Sequence, residues 1–236
     1  MSDKPQLVLI PVPLGEVDAA TCLPVVNLEY INHINHYIVE NIRSARRFLK
    51  SVCPDISIDS LTFYELNKHT RFEDISDFLS PLSEGKSVGV ISEAGCPAIA
   101  DPGADVVAIA QDKGYEVLPL VGPSSIILSL MTSGFNGQRF TFLGYLPIDE
   151  KARALAIKEA ESRLYAKKET QIFIETPYRN VKLVEELIRN CKPSTKLCIA
   201  CNLTCSDAYA RTLPLAKWRN KIPDIHKKPA IFLLGL

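Results

Sequence analysis

SVGVISEAGCPAIADPG, residues 87–103, decides the fold. Its first six residues carry no charge and are rich in Val and Ile. Such a run predicts a strand buried on both faces, as in the middle of a parallel sheet. The stretch 93–103 is polar and carries glycines and prolines, so it reads as the loop leaving that strand's C-terminal end. A helix, ADVVAIAQDKG, follows and stops at Gly114. In open α/β sheets ligands bind outside such strand ends, and small residues there let a ligand approach the backbone. Taken alone, a loop of this kind is more often an ordinary turn than a site.

Outward from this stretch, strands and helices alternate, which favours α/β architecture. QLVLIP (6–11), HYIVE (36–40), SLTFYEL (60–66) and YEVLPLVG (115–122) read as strands. Ala45, Phe48, Leu49 and Val52 fall at helical spacing after Asn41, while Arg43, Arg46, Arg47 and Lys50 occupy the other face. A helix is expected over Phe72 to Leu79. VGPSS (121–125) joins a strand to the helix SSIILSLMTSG, whose free N–H groups and hydroxyls can hold carboxylates or ribose oxygens. Beyond it, RFTFLGYLP (139–147), TQIFIET (170–176), KLCIACNLT and AIFLLGL read as strands. A polar helix over 150–167 and the amphipathic YRNVKLVEELIRNC lie among them. The expected organisation is two α/β domains, 1–120 and 121–236, divided by architecture and not by a linker.

The 236 residues suffice for two such domains, and 47% hydrophobic with 23% charged residues is ordinary globular composition. No apolar run approaches the roughly 20 residues that span a bilayer. MSDKPQLVLIPVP lacks a signal-peptide layout, so no membrane partner and a cytoplasmic location are expected. Seven cysteines, an odd number, point to reduced thiols. Cys198-x2-Cys201-x3-Cys205 lacks a further ligand pair, and His33, His36, His69 and His226 lack metal spacing, so no metal site is expected. There is no GxGxxG, GxxxxGK[ST] or GxSxG, which removes the common phosphate-loop and hydrolase signatures. Residues 1–150 hold 10 Lys and Arg against 19 Asp and Glu; residues 151–236 hold 17 against 8. That asymmetry fits a polyanionic partner or, equally, attraction between the two halves.

Taken together and in order, PVPLG, ISEAGCPAIADPG, LPLVGPSSIILSL, FLGYLP, IFIETPYR and the terminal AIFLLGL resemble the tetrapyrrole methylase superfamily. The nearest branch is that of ribosomal RNA small-subunit methyltransferase I, and the resemblance covers nearly the whole chain. It implies two α/β domains with S-adenosylmethionine in the cleft between them, a homodimer, and ribose 2′-O-methylation of ribosomal RNA. The cofactor would meet Pro13, Leu14 and Gly15, then Ala94, Gly95, Cys96 and Ile99, then Ser124 and Ser125. Thr176, Asn202, Leu203 and Ala230 would complete its surroundings. Methyl transfer to a hydroxyl also needs a proton acceptor. Glu40, Glu175 and His69 are the candidates, with Arg43 and Arg179 standing at the far ends of the two Glu–Arg motifs; Glu40, Glu175 and Arg179 are taken as the catalytic set. A structural ion pair is the competing reading of each Glu–Arg pair.

The chain departs from the family pattern where Glu16 replaces an amide, where Asn41-Ile42 replaces Asp-Thr, and where Cys201–Cys205 loses an arginine, a glutamate and a lysine. It ends at Leu236, where the family carries a C-terminal extension. The cofactor residues are therefore better kept than the acceptor residues. Three functions stay open: an RNA methyltransferase, a methyltransferase of a small molecule or tetrapyrrole, and a cofactor-binding protein without catalysis.

Overall fold

A computed structural model describes residues 4–66, 70–219 and 221–236. The chain divides into two units, Met1–Ser124 and Ser125–Leu236.

In the first unit the strands are β1 (Gln6–Ile10), β2 (His36–Val39), β3 (Thr62–Glu65), β4 (Val88–Ile91) and β5 (Glu116–Pro119). They form one sheet of order β3-β2-β4-β1-β5, and every pairing is parallel. The uncharged β4 lies between β2 and β1, as its sequence predicts. Side chains alternate across the sheet with period 2. Leu7, Leu9, Ile38, Val88 and Val90 face one core with Val106, Ile109 and Ala110 of helix α5 (Gly103–Asp112). Val8, Ile10, Tyr37, Val39 and Ile91 face the other. There they meet Ile31 of α1 (Val26–His33) and Ala45 and Leu49 of α2 (Ile42–Val52). Two shorter helices, α3 (Phe72–Phe78) and α4 (Ser80–Ser83), add Ile75 and Leu82 to the first core.

Neighbouring strands β1 and β4 thus send the chain to opposite faces, β1 toward α1 and β4 toward α5. This divergence opens a crevice at the strands' C-terminal ends, the topological switch point where open sheets bind ligands.

The second unit begins with α6 (Ser125–Ser133). Its sheet has the order β6-β7-β10-β8-β9, built from β6 (Phe140–Tyr145), β7 (Thr170–Ile174), β8 (Lys196–Cys201), β9 (Tyr209–Pro214) and β10 (Ala230–Gly235). Only β6 and β7 pair in parallel; the other pairings are antiparallel. Phe173, Phe232 and Leu234 pack beneath α7 (Glu150–Lys167) and α8 (Asn180–Asn190). Ile172, Ile231 and Leu233 pack against Leu130 of α6 on the opposite face. The short α9 (Leu215–Trp218) brings the fully buried Trp218, whose indole N–H donates to Leu197 O at 3.0 Å.

Sequence reading names neither α1, α4, α9 nor β9. Cys198 and Cys201 fall on opposite faces of β8, in separate cores, so their spacing is a strand's and not a ligand set's. Among the described residues no His, Cys, Asp and Glu cluster could hold a metal, and no helix is long and apolar enough to cross a membrane.

Candidate cofactor site

Three loops of the first unit meet at the crevice. Val12, after β1, and Gly95, after β4, exchange both backbone bonds, N to O at 2.9 and 3.1 Å. The third loop is 120–124, after β5. Cys96 Sγ donates to Pro123 O at 3.4 Å. The glycines permit this approach. A Cβ on Gly122 would stand 2.3 Å from the Pro11 ring, and one on Gly95, which has φ of 73°, would meet Leu14 at 3.1 Å and Pro123 O at 3.3 Å. Pro13, Leu14, Gly15, Ala94, Gly95, Cys96 and Ser124 therefore lie on three loops in one place.

The loop between β4 and α5 is held under strain. Ala98 and Ala100 adopt φ of 66° and 63°, where a side chain is disfavoured. Asp101 imposes this turn: its Oδ1 accepts the N–H of Ala98 at 3.0 Å and of Gly103 at 2.7 Å. Burial pushes the Asp101 carboxyl above its usual range despite these bonds. The strain leaves Ile99 standing out, 54% exposed, and Val121 on the 120–124 loop is also unburied, at 72%. Isolated apolar side chains at a strand-end crevice suit the non-polar faces of a nucleoside.

A cavity of about 140 Å³ adjoins the loops, lined by Pro13, Gly15, Ser44, Phe48, Ser92 and Glu93 among others. Glu40, the residue after β2, accepts the Glu93 amide at 3.1 Å, and the Ser44 hydroxyl bonds the Glu93 carboxylate. Burial, first, and the carboxylates of Asp101 and Glu93 raise the Glu40 carboxyl above its ordinary value. Glu93, Ser44 and Asp101 were not picked out as site residues by sequence. The partners that join Glu93 to Ser44 and Glu40 are distant in the chain, while Asp101 bonds within its own loop, where only the DPG ending hinted at it. A larger concavity, about 500 Å³ around Asn32, Asn35, Cys53 and Ser57, lies where β2 and β3 begin, at the opposite sheet edge. It shares no residue with the strand-end loops, so the smaller cavity is the relevant one.

In the second unit the candidates also gather at one end of the sheet's central strands. β10 runs antiparallel to β7 and β8, so Ala230 begins where those strands end, beside Cys201. Asn202, with φ of 48°, donates its N–H to Pro229 O at 3.0 Å, and Leu203 follows it. Glu175 is buried, and one of its oxygens accepts from Arg179 Nη2 and the Thr176 amide, both at 2.6 Å, and from Arg179 Nε at 3.0 Å. This is a satisfied ion pair, so geometry assigns Glu175 to holding Arg179. Ser125 opens α6. His69 lies outside the described residues.

A parallel sheet with a strand-end crevice, followed by a mixed sheet, is an architecture shared with known methyltransferases. The chain superposes on the methyltransferase CobJ with a TM-score of 0.64, covering 99% of this chain and 94% of that one at 15% identity. It superposes on uroporphyrin-III-C-methyltransferase from Thermus thermophilus with a TM-score of 0.55, covering 98% and 92% at 14% identity. The fold is thus of the tetrapyrrole methylase type. In sequence the chain is similar to ribosomal RNA small subunit methyltransferase I. The match to the Halalkalibacterium halodurans protein is 30% identical over 186 residues, 79% of this chain and 60% of that one. To the Streptococcus pyogenes protein it is 35% identical over 173 residues, 73% and 56%. To the Vibrio cholerae protein it is 28% identical over 232 residues, 98% and 76%. The chain spans about 60% of the length of the first of these relatives. No family model matches it. The resemblance carried by the motifs is borne out by both the sequence and the structural likeness.

Proposed function

We propose that the chain is an S-adenosylmethionine-dependent methyltransferase acting on RNA, with a ribose hydroxyl as acceptor, and that it works as a homodimer in the cytoplasm. The observation that carries this reading is the convergence of the three loops. Glycine backbones packed against neighbouring loops, a strained turn and two outstanding apolar side chains form a surface suited to a nucleoside. Pro13, Leu14, Gly15, Ala94, Gly95, Cys96, Ile99 and Ser124 would hold it. Ser125, Thr176, Asn202, Leu203 and Ala230 are assigned to it on the resemblance alone. The bound cofactor would supply a methyl group already activated on a sulfonium, so the protein's part is positioning, desolvation and proton removal.

Glu40 takes the proton of the acceptor hydroxyl. It lies beside the cavity, and burial raises its carboxyl above the ordinary value, which makes it a stronger base than an exposed carboxylate. Arg179, oriented by Glu175, is 31% exposed and free to meet an acceptor phosphate. The erosion of the family's acceptor residues at Cys201–Cys205 favours one further reading, a small-molecule or tetrapyrrole acceptor, for the same chemistry.

Titration calorimetry with S-adenosylmethionine and with its demethylated product tests the cofactor; no heat with either removes the reading. Transfer of a tritiated methyl group to unmodified small ribosomal subunits, and in parallel to a metabolite extract, decides the acceptor. Glu40→Gln is expected to lower transfer about 100-fold or more while leaving cofactor affinity unchanged. Because the carboxyl is raised in the folded state, its ionisation opposes folding as pH rises through the raised value. The same variant should therefore melt higher than the parent at neutral pH.

A further inference from the structure

Helix α2 buries Ala45 and Leu49 in the first unit's core. Its outer face carries Arg43, Arg46, Arg47 and Lys50 at i, i+3, i+4 and i+7, which is a single stripe on an α-helix. All four are exposed. Residues 1–124 contain 9 Lys and Arg against 17 Asp and Glu, so nearly half of this acidic unit's cations stand on three turns of one helix. None of the four forms an ion pair among the described residues.

Two of the four side chains are held in place. Lys50 Nζ donates to Pro54 O at 2.7 Å and Ile56 O at 2.9 Å, and the Arg46 guanidinium lies 5.3 Å over the Phe63 ring. The carboxylates at the head of the helix are already engaged, Glu40 by the Glu93 amide and Glu93 by the Ser44 hydroxyl of the helix's own first turn, and among the described residues neither forms an ion pair with the stripe. Like charges one turn apart repel, and a cation at Arg43 opposes the dipole of the helix's first turn. An anionic ligand relieves both. On the flank next to Arg47 the same helix presents Ser44 and Phe48 to the 140 Å³ cavity that Pro13, Gly15 and Glu93 also line.

We propose that this face of α2 docks the phosphate backbone of the RNA acceptor and leads it past that cavity; the proposal rests on the reading of the chain as an RNA methyltransferase. The stripe is about 10 Å long along the helix axis. One strand of a duplex presents about three phosphates over that rise. A membrane surface fits less well. Interfacial helices insert an apolar face, and that face of α2 is already in the core.

The test uses the full chain and a fluorescein-labelled small-subunit ribosomal RNA hairpin, followed by anisotropy over a salt series. Arg43→Gln/Arg47→Gln/Lys50→Gln, which leaves Arg46 on its ring, should lose affinity about tenfold or more and reduce the log–log salt slope by about 2 to 3. The heat of S-adenosylmethionine binding should stay as in the parent. Lys151→Gln/Lys158→Gln on α7, in the more basic half of the chain, should keep the parent's slope. An unchanged slope in the α2 variant, loss only in the α7 variant, no RNA binding by the parent at low salt, or loss confined to phosphatidylserine vesicles would each overturn the proposal. If the triple variant does not fold, Arg47→Gln alone decides, with an expected slope change of about 1. RNA binding through α2 without cofactor heat would leave this surface standing and remove the methyltransferase reading.

Discussion

Gly122 and Gly134 separate two reasons for a glycine. Gly122 has no room: its Cβ would enter the Pro11 ring at 2.3 Å, and a proline ring cannot rotate away. Gly134 has room, with nothing within 4 Å, but holds φ at 72°. Gly122→Ala must push the loop after β5 off the loop after β1. It is expected to cost about 1–3 kcal/mol by overpacking and to weaken S-adenosylmethionine binding in the same stroke. Gly134→Ala should cost about 1–2 kcal/mol from backbone strain alone and leave cofactor affinity unchanged. Thermal melts paired with calorimetry distinguish the two; equal cofactor affinity in both variants would remove the 120–124 loop from the site. Both glycines stand out in the sequence as punctuation. Which one meets another loop depends on residue 11, more than a hundred positions away, and no local pattern carries that.

At the scale of elements, α7 and α8 are joined by an ion pair between Arg153 and Glu186, each about 5% exposed. Arg153 also donates to Pro147 O at 3.0 Å and Ile148 O at 2.6 Å, so it fixes the turn that follows β6. The guanidinium holds the Glu186 carboxyl below its ordinary range. A carboxylate lowered in this way contributes stability above its unfolded value and loses it as pH falls through the folded one. Arg153→Ala, which strands a buried carboxylate, should cost about 3–5 kcal/mol. Arg153→Met/Glu186→Leu should be near neutral at pH 7 and less sensitive to acid than the parent. Urea midpoints across pH would show it, and an Arg153→Ala variant within about 1 kcal/mol of the parent would contradict it. The helices themselves are legible from spacing, and Asn41 marks the start of α2 by accepting the N–H groups of Arg43 and Ser44. The missed elements had no such local signal. α1 has no side-chain cap and is anchored by Asn27 donating to Val121 O, and β9 is an edge strand whose exposed Ala210 and Arg211 give little apolar alternation. The Glu40–Glu93–Ser44 group joins residues 49 and 53 positions apart, a proximity that exists only after the sheet has formed.

Among the described residues, the first unit holds two apolar clusters, one on each face of its sheet, and the second unit likewise holds two. Strand order was not legible in the sequence, because it is decided by pairings between distant segments. If each unit unfolds on its own cores, the two transitions can be told apart, because the sequence supplies a probe that sees only one unit. The single tryptophan, Trp218, is fully buried in the second unit. Its fluorescence therefore follows that unit, while far-ultraviolet circular dichroism follows both. Leu49→Ala removes a fully buried side chain between α2 and the first sheet and should destabilise that unit by about 2–5 kcal/mol. In urea the dichroism of this variant should show an early transition that the fluorescence does not, while the Trp218 midpoint stays with the parent's. A fluorescence midpoint that moves in step with the dichroism would mean that the chain unfolds as one cooperative body despite its divided cores. With excess S-adenosylmethionine present, the early transition should move back toward higher urea by the linkage of binding to folding, since the loops proposed to hold the cofactor belong to the destabilised unit.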